Sequence, residues 1–421
     1  MVDVGFIGLG KLGLPIALAI ESKGHQVVAT DPADGPQRIL RSRKLEHREA
    51  GASALLEQSR LELVPLQETV RRSQLLFVTI ETPHAPEFEG VTRLPAQTRG
   101  FDTSRLCAGM ADLSRAIEQN GEERIVVVVS TVLPGTIRRE LKPLMGPRAR
   151  LCYNPFFIAM GTAIADFLAP EFVLFGVDDD RAASAAEAFY RTIHDAPFRR
   201  TTLEEAELIK VLYNTFISTK IAFANTAMEL AHHVPGANVD VVLDVLAGAN
   251  QRIISGKYLS AGMGDGGGCH PRDNIALSHF AKEVGLSFDW FRAVMQQRER
   301  QTEWLCELIE QHRGGRKVVI LGRSFKPESN ILTGSAAVLL TSLLEERGTV
   351  TSAWDPHVDR GVAPPTDGPF CYFIGTRHPE FRKFPFAPGS VVLDPWRFVE
   401  PAANVEYVPI GKGPSAPAGE T

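Results

Sequence analysis

Cysteine is scarce and irregular: the five in the chain, Cys107, Cys152, Cys269, Cys306 and Cys371, are odd in number and form no CxxC pair. That argues against a disulfide scaffold or a structural zinc site, so no metal is expected, and a reducing, cytoplasmic setting fits best. An excess of one charge is missing too, with 45 Lys and Arg against 50 Asp and Glu. A net charge of −5 offers no broad basic field for nucleic acid or an anionic membrane, so neither is expected as a partner. Long apolar runs are absent as well. The opening stretch to Ile20 is broken by Asp3, Lys11 and Pro15, which argues against a signal peptide, and no other run approaches the ~18 residues of a membrane helix.

What remains is ordinary globular composition in 421 residues, enough for two or three domains. Strand-like runs VGFIG, HQVVATD, LLFVTI, RIVVVVST and EFVLFG alternate with helical stretches up to about residue 190, the pattern of a parallel, doubly wound α/β sheet. A long helix then spans about residues 201–234, opened by Thr202 with Glu205 three residues on and stopped by Pro235. Near the C-terminus RKVVILG, SAAVLLTSLLEERG and VTSAWDP repeat strand, helix, strand, and CYFIGT and SVVLDPW follow as further strands. The expected architecture is an N-terminal Rossmann domain (1–200), a central helical domain (201–312), a C-terminal Rossmann-like domain (313–411) and a polar tail (412–421).

Chemistry is written in two loops. Gly8, Gly10 and Gly13 form GxGxxG between the first strand and a helix. Such glycines permit a tight turn, let backbone approach a pyrophosphate and let helix pack on strand, with helix N–H groups facing the anion. Lys11 and Leu12 lie in the same turn, and the next strand ends at Asp31, where an acid accepts from the adenosine ribose diol and repels a 2′-phosphate. NAD is therefore the expected cofactor. The second loop runs five glycines, Gly262 to Gly268, into Cys269 and a helical pattern. A cysteine at a helix start beside Arg272 favours its thiolate and is a candidate nucleophile. On the long helix, Lys210 and Asn214 are spaced i, i+4 on one face, with Asn225 near the same azimuth, which suggests a polar pocket or, equally, a solvated face.

Together these pieces resemble the UDP-glucose/GDP-mannose dehydrogenase family over nearly the whole chain. The matching segments add Thr82-Pro83, Ser130-Thr131 through Pro134-Gly135-Thr136, Ala206-Glu-Leu-Ile-Lys210, Arg252-Ile, Gly266-Gly-Gly-Cys269-His-Pro-Arg272-Asp273, Phe325-Lys326-Pro327 and Trp354-Asp355-Pro356. The resemblance implies oxidation of a sugar's primary alcohol by NAD in two hydride transfers, in a homodimer paired through the long helix. Cys269 would capture the aldehyde and carry the thioester, Lys210 would stabilise the developing alkoxide, and Asn214, Asp273 and a water ordered by Thr131 would move protons. Thr82 and Thr131 would line the cofactor, and Phe156, Phe157, Ile158, Arg252, Gly266 and Lys326 the substrate.

The family's substrate loop, (S/N)PEFLxEG, reads here Asn154-Pro-Phe156-Phe157-Ile158-Ala159-Met160-Gly161, so both acids are gone, and a family arginine is Thr333. Phenylalanine cannot activate the water that hydrolyses a thioester, and losing the arginine weakens the grip on a diphosphate. Three readings follow: a dehydrogenase acting on a sugar nucleotide or a less anionic nucleoside or sugar; a redox-neutral dehydratase or epimerase that returns the hydride; and a degenerate binding subunit. The second would use Phe156 to keep the site dry.

Overall fold

The computed structural model describes residues 3–45, 49–83, 100–159, 161–256, 260–264, 269–400 and 403–412. The side chains of Asn225, Cys269, His270, Arg272 and Asp273, and all of Gly266, lie outside the described residues, as do residues 413–421 of the expected tail. The chain divides into two compact units, Met1–Thr219 and Lys220–Thr421, with the division inside the long helix.

The first unit is an eight-stranded sheet: β1 (Asp3–Ile7), β2 (Gln26–Thr30), β3 (Glu62–Leu63), β4 (Leu75–Val78), β5 (Arg124–Val128), β6 (Ala149–Tyr153), β7 (Val173–Val177) and β8 (Phe198–Thr201), in the order β3-β2-β1-β4-β5-β6-β7-β8. The unbroken apolar run of β4 is explained by helices covering both faces. Leu75 and Phe77 enter one core with Val4, Phe6 and Val127, while Leu76 and Val78 enter the other with Val126 and Val128. Burying each such side chain contributes roughly 1.5–3 kcal/mol.

The sequence pattern predicts a wholly parallel sheet, and here the structure differs: β7 pairs antiparallel with β6, and β8 follows β7 in parallel. A parallel return needs a crossover of about a dozen residues or more, usually a helix. Among the described residues between β6 and β7 the only helix is Ala163–Leu168, six residues long. At about 1.5 Å per residue it spans only ~9 Å, against roughly 17 Å for a five-residue strand, so the helix by itself does not carry the chain back to the start of the sheet.

The long helix is Leu203–His232. Its expected capping box is present in both arms: Thr202 Oγ1 accepts from Glu205 N at 3.2 Å and Glu205 Oε2 accepts from Thr202 N at 3.0 Å. The second unit continues with the helices Val239–Ala247, Cys269–Val284 and Trp290–His312. It also holds a five-stranded parallel sheet of β9 (Val318–Leu321), β10 (Thr351–Trp354), β11 (Cys371–Ile374), β12 (Val391–Asp394) and β13 (Glu406–Pro409), ordered β10-β9-β11-β12-β13. Val318 and Ile320 face one core cluster, Val319 and Leu321 the other.

Candidate active site

The glycine turn lies between β1 and the helix Gly13–Ser22. Gly8 has φ +94°, and a Cβ there would come within 3.2 Å of the Thr79 and Ile80 backbone after β4. At Gly13 a Cβ would sit 2.7 Å from Thr79 Oγ1, whose hydroxyl donates to Gly8 O at 2.7 Å. These two glycines are demanded by the protein itself. Gly10 is not: a Cβ on it would meet nothing within 4 Å. Its bare backbone opens onto space beside a helix N-terminus that has no side-chain cap, which fits a pyrophosphate.

Asp31 stands at the end of β2 and does two things. Oδ2 accepts from Leu9 N at 2.6 Å and Oδ1 from Ala33 N at 2.8 Å, so the carboxylate braces the glycine turn. Each oxygen keeps a lone pair, the capacity that two ribose hydroxyls require. Lys11 is exposed and Leu12 half-buried at the start of the helix. Beyond β4, Thr82 Oγ1 donates to Thr131 O at 2.8 Å, and Ser130 Oγ donates to Ile80 O at 2.5 Å, so the loops after β4 and β5 are tied to each other.

The loop after β6 meets the long helix. Lys210 is buried, its Nζ donates to Phe156 O at 2.5 Å, and it lies 5.1 Å from the Phe157 ring centroid. Burial pushes the Lys210 ammonium below the usual lysine range. Of the two readings of this helical stripe, the solvated face is therefore ruled out for Lys210, whereas Asn214, one turn on, is exposed. Phe157 packs on Phe172 and Tyr213. Phe156 turns its ring into the hydrophobic core, 8% exposed and edge-on to Phe167 at 5.6 Å. The loop's first residue is fixed from below, with Asn154 Nδ2 donating to Leu174 O at 2.9 Å and Tyr190 OH donating to Asn154 Oδ1. Its far end is held by Glu49 Oε2, which accepts from Gly161 N at 2.8 Å, and by Asp166 Oδ2, which accepts from Ala159 N at 2.9 Å.

Glu207 is a residue that the sequence reading passed over. It is fully buried on the same helix as Lys210, with Oε2 accepting from Gly135 N at 2.5 Å and Oε1 from Ile137 N at 2.8 Å. Burial raises its carboxyl above the usual range, against the opposing pull of those two N–H groups. One carboxylate thus joins the Lys210 helix to the segment that begins at Thr131. The available signal was an acid inside the apolar face of AELIK.

In the second unit, the helix Cys269–Val284 begins at Cys269, as the glycine run predicts. Arg252 is exposed, and Lys326 is exposed with its Nζ 5.3 Å from the Phe325 ring. Ile158 is half-buried beside Phe157 in the first unit. Among the described residues, the four cysteines Cys107, Cys152, Cys306 and Cys371 are free thiols, and burial pushes Cys152 and Cys371 up to about 12, so neither competes as a thiolate. No helix of the described residues is long and apolar enough to cross a membrane.

Residues 2–194 match the UDP-glucose/GDP-mannose dehydrogenase family, NAD binding domain, and residues 204–300 match the same family's central domain. The chain is 29% identical over 369 residues to GDP-mannose 6-dehydrogenase of Pseudomonas aeruginosa, covering 85% of this chain and 81% of that protein. It is also 29% identical over 370 residues to UDP-glucose 6-dehydrogenase TuaD of Bacillus subtilis, covering 85% and 76%. The crystal structure of a ternary complex of GDP-mannose dehydrogenase from Pseudomonas aeruginosa aligns with a TM-score of 0.84 at 26% identity over 96% of this chain and 99% of that one. The chain therefore belongs to the UDP-glucose/GDP-mannose dehydrogenase family and is an NAD-dependent oxidoreductase.

Proposed function

We propose that the protein oxidises an alcohol of a nucleotide-activated sugar, using Cys269 as nucleophile and Lys210 as the group that stabilises the developing alkoxide. The observation that carries this reading is the buried Lys210 ammonium, held by Phe156 O against the loop after β6. A desolvated cation strengthens its attraction for oxyanion charge, because no water competes. Bound NAD supplies the hydride acceptor. Gly8, Gly10, Lys11, Leu12, Gly13, Asp31, Thr82 and Thr131 would hold it, Asp31 on the ribose and the glycine turn on the pyrophosphate. Phe157, Ile158, Arg252, Gly266 and Lys326 would shape the substrate site, with Lys326 offering a point charge to phosphate. Asn214, Asp273 and a water ordered by Thr131 would move the protons released at each oxidation.

A second reading is favoured by one observation. From Asn154 to Ala159 the loop carries no carboxylate, and Phe156 spends its ring on the core instead. The two acids that hold the loop's far end, Glu49 and Asp166, are engaged by its backbone. Thioester hydrolysis thus lacks its base on this loop, and a redox-neutral dehydratase or epimerase, returning the hydride to the same substrate, needs none. Incubation with NAD and a panel of sugar nucleotides, free nucleosides and sugars, read by NADH absorbance and mass spectrometry, separates the two. Oxidised product with NADH supports the first reading, and isomerised or dehydrated product without NADH supports the second.

We further read residues 1–200, 201–312 and 313–411 as cofactor, central and substrate domains, and the protein as a cytoplasmic homodimer. The free cysteines support the compartment. The dimer is supported by Leu208, Leu212 and Phe216, spaced by one turn on the long helix and each 45–53% exposed. Monomeric sedimentation at micromolar concentration would contradict it.

A further inference from the structure

At the carboxyl ends of β9, β10 and β11 lies a buried polar cluster that none of the roles above uses. Asp355, after β10, and His378, after β11, are both fully buried, as is Ser324 after β9. In a parallel sheet this is the ligand-binding edge, and β9 is the strand on whose two sides the chain order diverges. Here the two flanking turns close on each other: a Cβ on Gly375 would lie 2.5 Å from Gly322 O. From Gly322 the chain runs on through residues 323–328, carrying Lys326.

The hydrogen bonds of this segment determine the state of His378. Asp355 Oδ2 accepts from Arg323 N at 2.7 Å and Ser324 N at 2.9 Å, and Thr376 Oγ1 donates to Ser324 O at 2.5 Å. Ser324 has one hydroxyl proton, and it goes to Lys326 O at 3.0 Å. Its Oγ can then only accept from His378 Nε2, 3.0 Å away, which also lies 3.1 Å from Asp355 Oδ2. Nε2 therefore carries a proton. Nδ1 faces the Glu328 N–H at 3.1 Å and must accept. The imidazole thus donates through Nε2 and accepts at Nδ1, with both nitrogens committed to the 324–328 segment or its brace. Glu328 has φ +57°, a left-handed conformation in which a residue with a Cβ persists only when its surroundings hold it.

His357, His378 and Glu380 also place one ligand atom each within 4.8 Å of the others, a spacing open to a cation. A cation at His378 would displace either the Glu328 N–H or the proton shared with Asp355 and Ser324, so the bonding favours a different role.

We propose that His378 is a positioning residue, a latch that holds residues 324–328 in the conformation that presents Lys326 to the phosphates of the substrate. The proposal rests on the reading that the C-terminal sheet takes a nucleotide-linked sugar, and its consequence is confined to substrate capture. Lys326 supplies the charge, and His378 supplies, through Glu328 N and Ser324 Oγ, the geometry in which that charge is used.

The test uses the full-length protein and three variants. His378→Asn places an amide oxygen near the Nδ1 position and keeps the acceptor for Glu328 N. His378→Gln keeps the Nε2 donor but loses that acceptor, and His378→Phe fills the space with neither. Amide hydrogen exchange over residues 322–331, measured without substrate, should quicken about tenfold in His378→Gln and His378→Phe and stay near wild type in His378→Asn. With an active sugar nucleotide, KM for that substrate should rise about tenfold in the same two variants, while kcat and KM for NAD hold. Equal exchange in wild type and all three variants would overturn the latch, as would a KM for NAD that rises in step. Zinc that slows this exchange in the wild type and not in His378→Asn would assign the cluster to a cation instead. Should no sugar nucleotide turn over, the reading of the substrate fails, and the exchange comparison still decides the latch. Should His378→Phe fail to fold, the contrast between His378→Asn and His378→Gln decides it.

Discussion

Phe156 offers the sharpest perturbation, because the position that holds an acid in the family's loop pattern here belongs to the core. Its ring is 8% exposed, packs edge-on against Phe167 at 5.6 Å, and joins a cluster that includes Ala163, Ile164 and Tyr190. Truncation to alanine removes that burial and leaves a cavity, which costs about 3–5 kcal/mol. For a unit of some 150–250 residues, each kcal/mol lowers Tm by about 2–4 °C, so Phe156→Ala should melt about 6–20 °C below wild type. Phe156→Glu should lose at least as much, since it also places a carboxylate among apolar neighbours. Reinstating the acid is therefore not a simple restoration of hydrolysis: the loop that supplies Phe156 O to Lys210 must move to accommodate it. Scanning calorimetry with and without NAD measures both effects. A Phe156→Ala variant that melts within 2 °C of wild type, by the scale just given, would refute the claim that the ring holds the loop.

Three further expectations follow from individual groups. Asp31→Ala should weaken NAD by about 1–3 kcal/mol, because ribose hydroxyls and the Leu9 and Ala33 N–H groups all lose an acceptor; an unchanged Kd by calorimetric titration would place the ribose elsewhere. Glu207→Gln leaves one of two buried N–H groups facing an amide NH2 and should cost about 1–3 kcal/mol by denaturant unfolding, with wild-type stability contradicting the bracing role. Burial lowers the pKa of Lys210, so the alkaline limb of kcat/KM should fall below the ordinary lysine value of about 10.4, and a limb at or above it would count against Lys210 acting as a cation. In that window the unfolded chain binds the proton that the folded one has released, so this group's contribution to stability rises with pH.

Much of the fold was written locally. The GxGxxG turn, the two-armed cap at Thr202 and Glu205, and the apolar strands around them each follow from short-range chemistry. The strands that escaped were β3, β6, β8 and β13, and the reasons are physical. Glu62–Leu63 is only two residues long, Phe198–Thr201 carries two arginines at a sheet edge, and Glu406–Pro409 is a half-buried edge strand that ends in proline. Ala149–Tyr153 opens on half-buried Ala149 and Arg150, so only its last three residues read as core. The reversed direction of β7 depends on the length of one helix, which no strand pattern reports. At the site, the sequence showed that an acid was missing at Phe156 but not that the ring had joined the core. It offered Lys210 as either pocket or surface, and only tertiary burial decides. Glu207 and His378 were silent because their partners are backbone N–H groups 72 and 50 residues away.

The most direct test of the central claim is NADH production on nucleotide-activated sugars. Wild-type protein, NAD and a panel of UDP- and GDP-linked sugars should give NADH in proportion to an oxidised product, and Lys210→Met should lose that signal while NAD still binds. Product formed with no NADH at any substrate would set net oxidation aside in favour of hydride return, and NAD bound with every sugar unchanged after long incubation would contradict the account as a whole.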